Sequence, residues 1–170
     1  MVRPILTFEH PVLREKAKKV PRIDASIQRL LDDLTETMLD APGAGLAANQ
    51  IGVALRVCVV KGDDKQIWGL VNPEIVKTEG TQVGPEGCLS YPGWVGEVER
   101  AETVVVKGRN RRGKEIRVKS SGFTARAFQH EIDHLDGILF TDRLTSLDTL
   151  QRVEDLPADE KEEAVAAASG

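Results

Sequence analysis

The chain has no basic excess. Its 170 residues carry 23 lysines and arginines against 27 acids, a net charge of −4. Nothing in that balance suits the grip of a phosphate backbone, so no direct nucleic-acid binding is expected. Disulfides are also excluded as a scaffold, because there are only two cysteines. No apolar run approaches the length needed to cross a bilayer. The opening MVRPILTFEHPVLREKAKKV has neither an apolar core nor a small-residue cleavage site, so no secretory signal is expected. None of Asn49, Asn72 and Asn110 begins an N-x-Ser/Thr sequon. Together these absences lead us to expect a cytoplasmic protein without a membrane partner, whose cysteines are thiols or metal ligands.

What remains is an ordinary globular composition, 41% hydrophobic and 29% charged. The length suits one domain able to bury a core without covalent staples. Charge is unevenly placed. Six acids between Glu154 and Gly170 face only Lys161, leaving the body near neutrality. We therefore expect a single catalytic domain over residues 1–150 and an acidic, Ala/Glu-rich tail over 151–170 that frays in part.

Along the chain, Asp24 reads as an N-cap before an amphipathic helix with Ile27, Leu30, Leu31, Leu34 and Met38 on one face, ending before Pro42. APGAGLAANQIG reads as a loop, and ALRVCVVK as a buried strand. QIWGLVN is a strand stopped by Pro73, and EIVKTEG a short one. Gly80 to Pro92 reads as loop-rich. TVVVKGRN and KEIRVKS flank a hairpin turn at Asn110–Gly113. Ser121 opens a helix, GFTARAFQHEIDHL, closed by Asp136-Gly137, and SLDTLQRVEDL reads as a last helical segment broken by Pro157. Strands joined by short turns between two helices favour antiparallel pairing, and so an α+β fold.

The strongest chemical signal is His130-Glu131-Ile132-Asp133-His134. Residues four apart share a helix face, so both imidazoles can reach one metal ion. Glu131, beside the first of them, is placed to take a proton from water there. The bland alternative is an exposed polar stretch of helix. A third protein ligand is needed. Position 140, where one metalloprotease pattern wants histidine, is Phe140, and Glu154 reads as a solvated acid. Cys58, in LRVCVV, reads as a core thiol. Cys88, among glycines in GPEGCLS, is a good ligand for zinc or ferrous iron. Without the HExxH pentad it would read as a small buried hydrophobe. Cys-His-His leaves a fourth position open, the catalytic arrangement. GAGLAA matches half of a dinucleotide fingerprint, but it follows a helix and precedes a strand, the reverse of what phosphate binding needs. Gln50 closes this loop with an amide that can donate to a developing oxyanion.

Three segments stand in order: GAGLAANQ at 43–50, EGCLS at 86–90 and QHEIDHLDG at 129–137. Over about residues 1–150 the chain resembles the bacterial peptide deformylases. The resemblance implies an α+β fold with antiparallel strands around a central helix carrying HExxH, behind a long N-terminal amphipathic helix. It implies one metal ion per chain on Cys88, His130 and His134. That ion would be natively Fe2+, with Zn2+, Ni2+ or Co2+ as substitutes. It implies Glu131 as general base and then acid, Gln50 and the Leu89 N–H as oxyanion donors, and Gly45 as a backbone contact to substrate. The implied reaction releases formate from the N-terminal formyl-methionine of nascent peptides, with ribosome association as a further implication. Such an enzyme needs an apolar slot for methionine. Phe123 and Ala127, seven and three residues before His130, suit one, though plain core packing explains them equally well. Arg126 would have to reach the rim or pair with an acid. The rivals are an HExxH endopeptidase and a non-catalytic domain stabilised by a four-ligand metal.

Overall fold

A computed structural model describes residues 1–168. The architecture is α+β with antiparallel sheets. Helix α1 spans Ala25–Asp40 and is followed by β1 (Gly45–Ala47), β2 (Val57–Lys61), β3 (Ile67–Glu79), β4 (Gln82–Cys88) and β5 (Tyr91–Arg100). Then come β6 (Thr103–Arg109), β7 (Glu115–Ser121), α2 (Gly122–Leu135), β8 (Gln151–Arg152) and α3 (Ala158–Ala168). Five strands form one sheet in the order β1-β2-β3-β6-β7, and three form another in the order β4-β5-β8.

The five-stranded sheet lies between α1 and α2, and β2 shows why. Its side chains alternate in direction. Val57 and Val59 pack with Leu34 and Met38 of α1, whereas Cys58 and Val60 pack with Phe128 and Ile132 of α2. A strand buried on both faces has to be apolar throughout, as VCVV is. Asp24 caps α1, its Oδ1 accepting from the N–H groups of Ser26 (3.0 Å) and Ile27 (3.2 Å). No helix among the described residues is long and apolar enough to cross a membrane.

Four local expectations are corrected. The strand expected to stop at Pro73 continues as one 13-residue β3. Asn72 takes a left-handed turn there (φ 52°), and the pairing with β6 slips between Val71 and Glu74. A bulge is where proline is tolerated in a sheet. The loop expected from Gly80 to Pro92 is mostly strand, β4 running into β5. Gly84, Pro85 and Gly87 obscured it, and β4 is an edge strand, where a missing N–H costs little. The loop expected at 41–52 contains β1 and a 3-10 turn at Ala48–Ile51. The expected helical segment at 146–156 consists of two 3-10 turns flanking β8. Helix follows only after Pro157, whose carbonyl accepts from Glu160 and Lys161. Ala164 and Ala167 of α3 are buried against the three-stranded sheet. Ser169 and Gly170, the end of the expected acidic tail, lie outside the described residues.

Helix α2 ends at Leu135 with Asp136 as its C-cap, and Gly137 reverses the chain with φ 74°. A Cβ at Gly137 would lie 2.7 Å from the Arg14 carbonyl oxygen, which cannot retreat easily because it is backbone. Gly137→Ala therefore meets both left-handed strain and a clash. It is expected to lower unfolding free energy in urea by about 1–3 kcal/mol. An unchanged midpoint would show that the Arg14 segment yields freely.

Candidate metal centre

Three side chains converge from two elements. The end of β4 delivers Cys88, and α2 delivers His130 and His134, one turn apart. Cys88 Sγ lies 3.2 Å from His134 Nε2, which lies 3.1 Å from His130 Nε2. All three donor atoms fall within 4.8 Å of one another, and all three residues are buried. A thiol and two imidazoles offered at this spacing, with no other Cys, His, Asp or Glu in the group, fit a borderline-soft divalent ion with a position left for water.

His130 is oriented by a carboxylate. Its Nδ1 lies 2.7 Å from Glu86 Oε1, which leaves Nε2 for the centre. Glu86 also accepts from Arg100 (Nη2 2.5 Å, Nε 3.1 Å) and from Arg126 (Nη1 2.7 Å). Arg100 reaches on to Asp133 at 2.5 Å, and Arg143 closes on Asp133 with two further bonds. Burial alone would raise the Glu86 pKa. The hydrogen bond from His130 and the guanidinium of Arg100 overcome that and hold the carboxyl well below its ordinary range. Arg126 thus pairs with an acid, and it also donates to the Val98 carbonyl at 3.1 Å.

Glu131 has the opposite surroundings. It is fully buried, and neither carboxylate oxygen has a hydrogen-bond partner among the described residues. Burial pushes its pKa up to about 8. Gly45 makes room for it. A Cβ at that position would stand 2.5 Å from Glu131 Oε2.

Gln50 is held at both ends of its amide. Its Oε1 accepts from the Ala47 N–H (2.9 Å), and its Nε2 donates to Ser90 Oγ (3.0 Å) while lying 3.7 Å from Cys88 Sγ. Leu89 is the residue between Cys88 and Ser90, at the turn from β4 to β5, with its side chain against the α1 side of the core. The N-terminal segment braces this region. Leu6 N–H donates to the Gln50 carbonyl (2.7 Å) and Phe8 N–H to the Ser90 carbonyl (2.8 Å).

The two slot candidates separate. Ala127 is buried in the core cluster that includes Cys58 and Phe128, while Phe123, in the first turn of α2, is 37% exposed. Sequence reasoning missed Glu86, Arg100, Asp133 and Arg143 as supports of the centre. Glu86 and Asp133 sit inside the EGCLS and HEIDH segments, which was the available signal. Arg100 and Arg143 carry none, since only the fold brings them there.

The polypeptide deformylase family model matches residues 2–150. A peptide deformylase of Dehalococcoides mccartyi (strain CBDB1) is 53% identical over 165 residues, covering 96% of this chain and 98% of the relative. The crystal structure of a peptide deformylase from Legionella pneumophila superposes with a TM-score of 0.79 at 41% identity, covering 99% of this chain and 94% of that one. That from Thermotoga maritima gives 0.82 at 38% identity, covering 86% and 99%.

Among the described residues, Glu86→Gln removes the one carboxylate ion-paired with Arg126 and one of the two paired with Arg100. We expect a loss of about 3–5 kcal/mol in urea unfolding and metal retention about 10–100-fold weaker in chelator competition. The native pKa is depressed, so the stability that Glu86 contributes is complete above the ordinary carboxylate value of 4.5 and drains away as pH falls below it. The native protein should therefore lose stability faster than the variant over that acid range. Equal slopes would remove Glu86 from the account.

Proposed function

This chain belongs to the peptide deformylase family, metal-dependent hydrolases that remove the formyl group from the N-terminus of nascent polypeptides, and we propose that Cys88, His130 and His134 are where it does so. The observation that carries this reading is the convergence of those three donors beside a buried, unpartnered Glu131. A divalent ion held there supplies Lewis acidity toward water and the formyl oxygen.

The chain's own residues do the rest. Glu131 takes a proton from the attacking water, and its elevated pKa suits a base working near neutrality. The formyl carbon becomes tetrahedral. Its oxygen collects negative charge, which the Gln50 amide and the Leu89 N–H stabilise as donors. Glu131 then returns the proton to the amide nitrogen, the C–N bond breaks, and formate and a free amine leave. Gly45 offers backbone to the peptide while leaving Glu131 its space. Ala127 forms the inner wall of the methionine slot and Phe123 its outer lip, in keeping with their buried and part-exposed positions.

The catalytic domain comprises residues 1–150 and the acidic tail 151–170. Antiparallel strands are organised around the HExxH helix, with the N-terminal amphipathic helix behind the sheet. The ion is ferrous iron, one per chain. The setting is cytoplasmic, with the ribosome as the source of substrate.

The reading is tested by formate release from a short formyl-methionyl peptide, using anaerobically purified protein with its metal assayed in the same sample. Glu131→Gln should retain metal and lose at least about three orders of magnitude in turnover. Metal loss instead would make Glu131 a ligand. Gln50→Ala should lose about two to three orders while keeping metal, and near-native turnover would remove Gln50 from the oxyanion site. Equal activity after aerobic and anaerobic preparation would count against iron, because a thiolate-ligated ferrous site is open to oxidation.

A further inference from the structure

The two histidines of the centre are supported differently. Both offer Nε2, so each ring carries its proton on Nδ1 when it serves as a ligand. His130 directs that nitrogen at Glu86. His134 Nδ1 is buried and has no hydrogen-bond partner among the described residues. A ligating histidine nearly always donates its other ring N–H, so this gap calls for an acceptor.

Asn49 is bonded to the same residue. The asparagine is fully buried in the 3-10 turn Ala48–Ile51, and its Nδ2 donates to the His134 backbone carbonyl at 2.5 Å. That bond settles which end of the amide is nitrogen, since two oxygens would not face each other. The other end, Asn49 Oδ1, is buried and likewise unpartnered among the described residues. Two residues already joined by one hydrogen bond thus hold one orphan donor and one orphan acceptor. The other orphan acceptors are placed elsewhere. The Glu131 oxygens lie at Gly45, and Ser120 Oγ belongs to β7.

We propose that Asn49 is the positioning residue for His134, its Oδ1 accepting the Nδ1–H of that ring when Nε2 engages the metal ion. It then does for His134 what Glu86 does for His130, with one difference. Glu86 is a charge that strengthens its histidine as a donor, whereas the Asn49 amide fixes ring orientation and tautomer without adding charge. One short turn thereby carries both the support of a ligand and, in the next residue, the Gln50 amide beside Cys88.

The inference rests on the reading that Cys88, His130 and His134 hold a metal, and zinc-loaded full-length protein tests the two separately. In Asn49→Leu, zinc affinity measured by chelator competition should fall about 10–100-fold. The ring N–H resonance of His134 in 15N–1H spectra should lose its protection from solvent, while that of His130 stays as an internal control. Asn49→Asp keeps an acceptor oxygen for the ring but loses the bond to the His134 carbonyl, so the protected His134 ring signal should return even though native zinc affinity need not. If Asn49→Leu does not fold, the native protein still decides. A nuclear Overhauser contact between the His134 Nδ1 proton and the Asn49 side-chain amide is expected, and its absence overturns the proposal. Unchanged affinity and an unchanged His134 signal in Asn49→Leu would overturn it while leaving the metal reading intact. Failure of the native protein to bind zinc would sink the metal reading itself.

Discussion

The centre depends on one buried carboxylate. Glu86 lies on β4, two residues before Cys88, and its partners Arg100, Arg126 and His130 come from β5 and α2. Taking an ionised carboxylate out of water costs several kcal/mol, and only close, well-bonded opposite charges offset that. Two guanidiniums and an imidazole meet the requirement at 2.5–3.1 Å. In doing so they fix β4 against α2, the two elements that must present a thiol and two imidazoles to one point. Arg100 extends the lock to Asp133 on the next turn of α2, and Arg143, 44% exposed, seals it at the surface. A cluster of this kind is poor value as stability, since apolar packing does as well. What it secures here is registration between a strand and a helix that are far apart in sequence.

Glu131 shows the complementary use of burial. It sits in the same low-dielectric interior as Glu86 but receives no hydrogen bonds among the described residues. The outcome is two carboxyls whose pKa values are driven apart, Glu86 downward by its cationic partners and Glu131 up to about 8 by burial. In the proposed mechanism that divergence leaves Glu86 to support the centre and Glu131 to move the proton. A carboxylate saturated by arginines is a weak base, whereas one left without partners gains most from a proton. The fold thus bears an uncompensated polar group at Glu131 as a standing cost.

Much of the centre was legible because its chemistry is local. The four-residue spacing of His130 and His134 needs only helical geometry, and Cys88 stands out among glycines. The α+β class with antiparallel sheets also follows from short turns between strands. What escaped notice was set by tertiary contact. Proline at 73 reads as a stop, yet β3 passes it because Asn72 turns left-handed, and the Asn72 side-chain amide anchors the Val20 backbone at both ends, its oxygen accepting from the N–H and its nitrogen donating to the carbonyl. Arg100 has an unremarkable sequence context, and its importance comes from two acids that folding brings to it. The β4 strand is unlike a strand in composition because its edge position relaxes what a central strand would demand.

Gly45 reads as part of a loop because glycine weakens a strand, and GAGLAA offers little β-propensity. Yet Gly45 lies in β1, paired with Val60, and its backbone is not left-handed. Its lack of a side chain therefore answers to space and not to backbone conformation. The Glu131 carboxylate occupies the volume that a Cβ would need. The same glycine that hid the strand lets the Glu131 carboxyl lie flush against it. Illegibility at β1 and the space that Glu131 occupies are two consequences of one steric choice. Adding a methyl group there would have to move either the strand or the Glu131 side chain.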